Sequence, residues 1–219
     1  MRLREVQDWQ PYLVAGRRIV SVTEALNLAG VRRLVGYDEA QTAWRGLIGS
    51  AVHKATAFMD INRFTWDAMP PEIRDRWDSV SPEVAPYSRA WTEFKIREGF
   101  VPRRVEYRIA PKHGSIQFGM TLDREGLLRG VPYIIDLKTP KKQEPWWGVQ
   151  LAGYELGMIA LHAMPAEPPF QWKRAALRLT PESSPPYRLI PYEDPVDFDV
   201  FRWALGISVW AKNNYPNAL

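Results

Sequence analysis

The strongest constraint on the fold lies between residues 103 and 139, where three strand-like segments follow one another without an intervening helix. Residues 103–109 alternate polar and apolar side chains, which is the period of a β-strand. Strands joined without helices favour a mixed sheet over a doubly wound parallel one, so we expect an α/β domain. The predicted strands are residues 103–109, 115–123 and 126–139, the last with a turn around Arg129-Gly130.

Two helices are predicted before these strands. Ser21-Val-Thr-Glu24 is a capping box that opens a short helix ending at Gly30. Asp38 is a candidate cap for a longer helix that runs to about Met59. Its apolar residues recur every four positions and predict one buried face, made of Ala43, Leu47, Ala51 and Ala55.

The remaining pattern completes one domain, residues 1–219, with a core over about 20–192 and no linker or repeat. Helices on both sides of the strands predict a mixed sheet flanked by helices. These further elements are a helix from Ser81-Pro82 to about Gly99, a helix over 143–164, strands at 172–180 and 187–191, and a final helix over 194–213.

Cysteine is absent from the chain, which excludes disulfides, cysteine-ligated zinc, an iron–sulfur cluster and a thiol nucleophile. No apolar signal segment opens the sequence, and the apolar stretch 151–164 is too short for a membrane span. We therefore expect a soluble, cytoplasmic protein.

Positive charge is concentrated in one part of the chain. The net charge is +4, but residues 97–142 hold 10 basic and 5 acidic side chains. Arginine makes up 21 of the 29 basic residues, either because its planar guanidinium suits phosphate oxygens or because the genome is rich in GC. The local excess predicts a polyanionic partner.

Asp136 and Lys138 end an apolar strand. Residues two apart on a strand share a face, so the two side chains emerge together while Leu137 points into the core. An ordinary ion pair at a strand end explains the pair equally well. Asp123 lies on the neighbouring strand and can approach Asp136, and two close carboxylates need a cation such as Mg²⁺ between them. Gly119 leaves room there for a ligand or a neighbouring backbone.

Three further residues have weaker signals. Gln150 and Tyr154 are four apart on a predicted helix and share one face, where Gln150 can bond a phosphate or Lys138. Glu106 is either a surface glutamate or an outer ligand of the same cation.

Taken in order, these residues resemble the PD-(D/E)XK nuclease superfamily, in particular its RecB-type and phage-exonuclease-type branch. The resemblance covers about residues 20–160. The motifs that carry it are Ser21-Val-Thr-Glu-Ala-Leu26, Arg45 to His53, Glu106, Asp123, Asp136-Leu-Lys138 and Gln150 with Tyr154.

The resemblance implies a restriction-endonuclease-like core and one or two Mg²⁺ or Mn²⁺ ions. Asp123, Asp136 and the Leu137 carbonyl would bind the metal, with His53 and Glu106 as further ligands. Lys138 would be catalytic, supported by Gln150 and Tyr154. Since this chain has no cysteines, it would belong to the members without an iron–sulfur cluster.

The function expected is metal-assisted hydrolysis of DNA phosphodiesters by an exonuclease of recombination, repair or phage replication. The resemblance also implies that a single-strand annealing protein is a partner and that the chain forms a homo-oligomer. Two alternatives stay open, a silent module that binds DNA ends or recruits a partner, and a structure-specific endonuclease. Candidate DNA contacts are Arg45, Lys54, Arg124, Lys141, Lys142 and, by base stacking, Trp146 and Trp147. Solvation at the surface is an equally good explanation for each cation, and core packing is the alternative for the two tryptophans.

Overall fold

The computed structural model describes residues 11–32, 39–74, 82–139, 142–162 and 172–215, with the side chains of 39–45 left out. The strands are β1 (Leu13–Val14), β2 (Arg17–Arg18), β3 (Phe100–Ile109), β4 (Lys112–His113), β5 (Ile116–Gln117), β6 (Met120–Leu128), β7 (Val131–Lys138), β8 (Lys173–Leu179) and β9 (Tyr187–Pro191). The helices are α1 (Val22–Leu28), α2 (Glu39–Ile61), α3 (Val84–Glu98), α4 (Trp146–His162) and α5 (Val196–Asn214).

The central sheet has five strands in the order β3-β6-β7-β8-β9 within the described residues. β7 and β8 are parallel, and the other neighbouring pairs are antiparallel. Parallel neighbours need a long crossover, which here contains α4. The predicted mixed sheet is therefore confirmed.

Helices cover both faces of this sheet, and alternation along the strands supplies a core on each side. On β7, Ile134 packs in the core with α1, α4 and α5, whereas Ile135 and Leu137 pack in the second core with α2 and α3. Asp136 and Lys138, which alternate with Leu137, therefore lie on the α4 side of the sheet.

The predicted capping box at α1 is confirmed. Ser21 Oγ accepts a hydrogen bond from the Glu24 backbone N–H at 3.2 Å, and Glu24 accepts one in return from the Ser21 backbone. α2 also forms. Its predicted buried face is wrong at Leu47, which is 65% exposed, and confirmed at Ala55, which is fully buried, while the side chain of Ala43 lies outside the described part of the chain. Steps of four residues drift by about 40° each around a helix. Val52, Ala55 and Met59, which are three and four apart, face the core instead. Asp38 lies outside the described residues.

The predicted turn at Arg129-Gly130 is confirmed between β6 and β7, and both residues have left-handed backbone angles, with φ of 51° and 83°. The predicted single strand 115–123 is wrong, because the short β5 ends before Gly119 and β6 begins after it. Gly119 bonds instead to the backbones of Val20 and Val22, at 2.8 and 2.9 Å.

The other helices lie close to their predicted ranges. α3 ends at Gly99, whose φ of 67° suits glycine, although Ser81 lies outside the described residues. α5 opens where Asp194 accepts a hydrogen bond from the Val196 backbone. Within the described ranges, no helix is both long enough and apolar enough to span a lipid bilayer.

Candidate active site

Two of the acidic residues singled out in the sequence, Glu106 and Asp123, line a cavity of about 620 Å³ where β7 ends and β6 begins. α2 lies on one side of this cavity and α4 on the other. The residues that line it include Tyr12, Ser21, Arg32, His53, Lys54, Glu106, Arg108, Asp123, Lys138, Trp146, Gln150 and Tyr154.

Asp123 is buried at 6% exposure and is held by the neighbouring strand. Its Oδ2 accepts a hydrogen bond from the Leu137 backbone N–H at 2.8 Å. Burial opposes ionisation, but the charge of His53 and its hydrogen bond outweigh burial and lower the pKa of Asp123. Asp123 is therefore a carboxylate with a fixed direction.

His53 projects from α2 into the same cluster. Its Nδ1 lies 3.4 Å from Asp123 Oδ2 and 3.7 Å from Glu106 Oε1, and its Nε2 lies 3.1 Å from the Leu137 carbonyl oxygen. Burial lowers the pKa of His53, but the two carboxylates outweigh this and raise it well above 6.5. The imidazolium thus supplies positive charge between the carboxylates.

Glu106 reaches this cluster through an unusual backbone. Its φ is +46° in the middle of β3, a left-handed conformation that costs a non-glycine residue about 1–3 kcal/mol. The ligand atoms of His53, Glu106 and Asp123 lie within 4.8 Å of one another, so these three could hold a metal ion. Such local strain often marks functional positions, and the alternating sequence of β3 gave no sign of it.

Asp136 and Lys138 emerge side by side, as predicted. The Lys138 ammonium contacts Asp136 Oδ2. Burial, and to a smaller degree the charge of Asp123, raise the pKa of Asp136 to about 6 against the opposing effect of Lys138. Asp136 thus lies next to the cluster of His53, Glu106 and Asp123 and is electrostatically linked to it.

A chain of hydrogen bonds continues from Lys138 onto α4. Gln150 Oε1 accepts from the Lys138 ammonium at 2.8 Å, and Gln150 Nε2 donates to the Tyr154 hydroxyl oxygen at 2.8 Å. Burial and the charge of Asp136 raise the pKa of Tyr154 well above 10, so this phenol stays protonated. The predicted shared face of Gln150 and Tyr154 is confirmed, and of the two partners predicted for Gln150 the structure shows Lys138.

The two tryptophans at the start of α4 have different environments. The Lys138 ammonium lies 4.8 Å from the ring of Trp146 and 5.5 Å from the ring of Trp147. Trp147 is fully buried, so its predicted stacking on a base is wrong, because core packing takes both of its faces out of solvent. Trp146 is half-buried and lines the cavity, and its stacking role stays a prediction.

Arg124 was predicted to contact DNA, and this is wrong because its side chain is fully buried. The guanidinium donates to Asp60 Oδ2 at 2.7 Å, to Thr56 Oγ1 at 2.9 Å and to Glu106 Oε1 at 3.1 Å. Arg124 therefore connects α2 to Glu106, and its hydrogen bond orients that carboxylate.

The other predicted DNA contacts differ in their placement. Lys54 is half-buried and lines the cavity. Lys142 is exposed, but it is not among the described residues that line the cavity. The side chain of Arg45 and the whole of Lys141 lie outside the described part of the chain.

Sequence reasoning missed three residues at this cavity, namely Arg32, Arg108 and Tyr12. The Arg32 guanidinium lies 4.8 Å from the ring of Trp146, and Arg108 lies 3.7 Å from the ring of Tyr12. Arg32 Nε is buried and has no hydrogen-bond partner among the residues that the structure describes. Because Arg32 lies outside residues 97–142, the charge count gave no reason to select it.

Gly119 is next to a neighbouring backbone, as predicted, and the space beside it is filled by an aromatic ring. A Cβ at Gly119 would lie 2.1 Å from Cγ of Tyr12. The Tyr12 hydroxyl also lies 2.5 Å from Thr121 Oγ1. Gly119 therefore lets the amino-terminal segment close one edge of the cavity.

Comparison with models of known protein families gave no match, and comparison with curated proteins gave none either.

Proposed function

We propose that this chain is a divalent-metal-dependent deoxyribonuclease of the PD-(D/E)XK superfamily, with a restriction-endonuclease-like core. Its sequence resembles the RecB-type and phage-exonuclease-type branch, and exonuclease action is the activity that branch implies. The proposal rests on an acidic cluster, a half-buried lysine and several further cations that lie around a single cavity.

The observation that carries the proposal is the position of Lys138 beside the acidic residues. The lysine contacts Asp136, and Asp136 lies next to the cluster of His53, Glu106 and Asp123. Structural ion pairs seldom place this many ionisable groups around an open cavity, where desolvation and repulsion make them costly. Hydrolysis of a charged diester uses this combination of groups.

The donor atoms fit Mg²⁺ or Mn²⁺. The carboxylates of Asp123, Asp136 and Glu106 and the Leu137 carbonyl oxygen are ligands of the kind that these cations prefer, and His53 adds an imidazole nitrogen. Bound there, the ion would lower the pKa of a coordinated water and polarise the scissile phosphate. The three carboxylates are already held by the protein itself, Glu106 by Arg124, Asp123 by the Leu137 backbone N–H and Asp136 by Lys138.

Lys138 is the side chain of this protein that would act directly on the substrate. Its ammonium is held between Asp136 and Gln150, so it has a fixed direction and a hydrogen to donate toward the cavity. An ammonium in that place stabilises negative charge as it develops on a phosphate oxygen, or orients the attacking water. Gln150 and Tyr154 position the lysine and do not carry charge themselves.

Cations around the cavity would bind the DNA backbone. Arg32, Lys54 and Arg108 line it within the described residues. A guanidinium pairs with two phosphate oxygens at once, which suits Arg32 and Arg108, while Lys54 adds a point charge. Trp146 offers a half-buried ring for an unpaired end base, worth about 1–3 kcal/mol per stacked base.

The test is degradation of end-labelled linear duplex DNA by the full chain with Mg²⁺ or Mn²⁺. We expect cleavage that requires the metal and is lost in Asp136→Asn and Lys138→Ala. Asp67→Asn is the matched control, because Asp67 is 80% exposed and lies outside the cavity lining. Circular dichroism and melting would show that the inactive variants still fold.

Two outcomes would decide against this proposal. Retention of full activity in Asp136→Asn would place the chemistry elsewhere, and tight binding of DNA without cleavage under either metal would favour a silent end-binding module. Closed circular DNA, tested beside the linear substrate, separates an exonuclease from an endonuclease.

A further inference from the structure

The carboxyl-terminal helix α5 exposes a row of large apolar side chains on the side opposite its core contacts. Trp203 is 67% exposed, Trp210 57%, Val196 55% and Ile207 54%. These four exposed residues, with the half-buried Val200 that also touches the core at the edge of the row, are here called the α5 stripe. The other side of the helix packs against α1 and α4.

The spacing of the α5 stripe is that of a seam between two helices. Its residues follow one another at intervals of four, three, four and three. This averages 3.5 residues, the repeat of apolar positions in paired helices. A helix that merely leaves a few apolar side chains in solvent has no reason to keep this repeat over four turns.

The area exposed by the α5 stripe is large for a chain of this size. Aromatic side chains carry about 150–250 Å² each, so two tryptophans that are more than half exposed, with Ile207 and Val196, present roughly 400–500 Å². Patches above a few hundred Å² mark interaction surfaces. With flanking residues this approaches the roughly 800 Å² that each partner buries in a standard interface.

Gly206 is the second feature of this surface. A Cβ at Gly206 would meet no atom of the described residues within 4 Å, so packing among them does not require glycine there. Glycine in the middle of a helix is destabilising relative to alanine. Trp203, Gly206, Ile207 and Trp210 stand at the four positions that form a hole in knobs-into-holes packing, and the missing Cβ deepens it.

We infer that α5 is a homodimer interface, in which the α5 stripe of one copy packs antiparallel against the same stripe of a second copy. The surface carries both the knobs, Trp203 and Trp210, and the hole at Gly206, so it is complementary to itself about a two-fold axis. Antiparallel packing also sets the dipoles of the two helices in opposite directions, which is the favourable arrangement. None of the stripe residues lines the active-site cavity, so this inference is independent of the proposed function.

The first test is the mass of the full chain in solution, measured by light scattering and sedimentation over a range of concentrations. We expect a dimer for the wild type and a dissociation constant raised about 30-fold or more in Trp203→Glu, which is the effect of losing a central aromatic residue. Gly206→Leu fills the hole and should weaken the dimer although leucine favours helix. Ile96→Glu is the matched control, because Ile96 is 69% exposed on α3, and it should stay dimeric.

A second test uses the absence of cysteine from the chain. A short bifunctional maleimide should link two copies through Ile207→Cys and leave Ile96→Cys as single chains. A wild type that stays monomeric at high concentration would overturn the inference. If Trp203 in that monomer is also protected from a fluorescence quencher, another part of the chain covers the α5 stripe. An equally strong dimer in Trp203→Glu and Gly206→Leu would overturn it as well.

Discussion

The ammonium of Lys138 lies 2.8 Å from Oε1 of Gln150, so the end of β7 is joined to the second turn of α4. Asp136 contacts the same ammonium from the strand. Lys138 is therefore held on two sides by groups from different elements, and its direction does not depend on a bound substrate. This arrangement makes the roles of lysine and glutamine separable by experiment.

Lys138→Ala should lower kcat of the proposed nuclease by about 10²–10⁴-fold, the usual range for loss of a group that acts in proton transfer or charge stabilisation. Gln150→Leu should lower kcat less and leave KM nearly unchanged, because Gln150 acts through the lysine. Single-turnover cleavage of linear duplex DNA measures both variants. An equal loss in the two would contradict the assignment of Gln150 as a positioning residue.

Asp123→Asn should remove tight binding of Mn²⁺ without unfolding the protein. The asparagine oxygen can still accept the hydrogen bond from Leu137, but the anionic charge next to His53 is lost. Isothermal titration with Mn²⁺ measures the change, and Asp67→Asn serves as the exposed control. Unaltered Mn²⁺ affinity in Asp123→Asn would mean that this aspartate is not a ligand.

The sheet could be predicted from sequence because alternation, turn residues and caps are local signals. The pairing of Asp136 with Lys138 follows from the two-residue period of a strand, and Gln150 with Tyr154 from the helical period. Each of these depends on residues within a few positions of one another. α4 formed close to its predicted range, whereas the strand predicted over 126–139 was wrong at its start, because residues 126–128 belong to β6 and only Val131–Lys138 form β7.

Residues whose environment depends on distant contacts could not be predicted. Arg124 looked like a phosphate ligand, but Asp60, 64 positions away, binds it inside the protein. Arg32 became part of the site through its approach to Trp146 across the cavity. The left-handed φ of Glu106 has no marker in a strand of otherwise regular alternation.

Arg124→Met should destabilise the fold by about 3–5 kcal/mol, because it leaves Asp60 buried with one cation fewer. Lys95 still pairs with Asp60 and keeps the cost from being larger. Urea unfolding followed by circular dichroism measures this change. Arg97→Met is the control, since Arg97 is 60% exposed in a pair along α3 and should change stability by less than about 1 kcal/mol. A similar loss of stability in both variants would show that the buried ion pairs of Arg124 stabilise the fold no more than the exposed pair of Arg97 does.

Arg32→Ala should weaken DNA binding and reduce its dependence on salt. One fewer phosphate contact lowers the slope of log affinity against log salt by about 0.7–0.9, the contribution of one released counterion. Fluorescence anisotropy of a labelled duplex, at several salt concentrations and without metal, measures this slope. Arg129→Ala should leave it unchanged, because Arg129 pairs with Glu98 at the hairpin turn and does not line the cavity. An unchanged slope in Arg32→Ala would remove this residue from the DNA contacts.

Metal binding should strengthen steeply as pH rises. Burial raises the pKa of Asp136 to about 6, and the carboxylates next to His53 raise the pKa of His53 well above 6.5. At a pH below its own pKa each group carries a proton, and a cation that binds there must displace it. Each released proton changes the apparent affinity by up to about tenfold per pH unit. For both groups the pKa in the folded protein is higher than in the unfolded chain. Protonation therefore stabilises the folded protein fully at a pH below the pKa of the unfolded chain, and this stabilisation is lost as the pH rises through the pKa of the folded protein.

The metal-free protein should therefore melt at a lower temperature at pH 8.5 than at pH 6, and Mn²⁺ should raise the melting temperature far more at pH 8.5. Differential scanning fluorimetry with and without Mn²⁺ across this range measures both effects. His53→Gln removes one of the two protons that Mn²⁺ displaces, so the slope of log Mn²⁺ affinity against pH should fall by about one. A Mn²⁺ affinity that does not change between pH 6 and 8.5 would show that neither group shares its proton site with the metal.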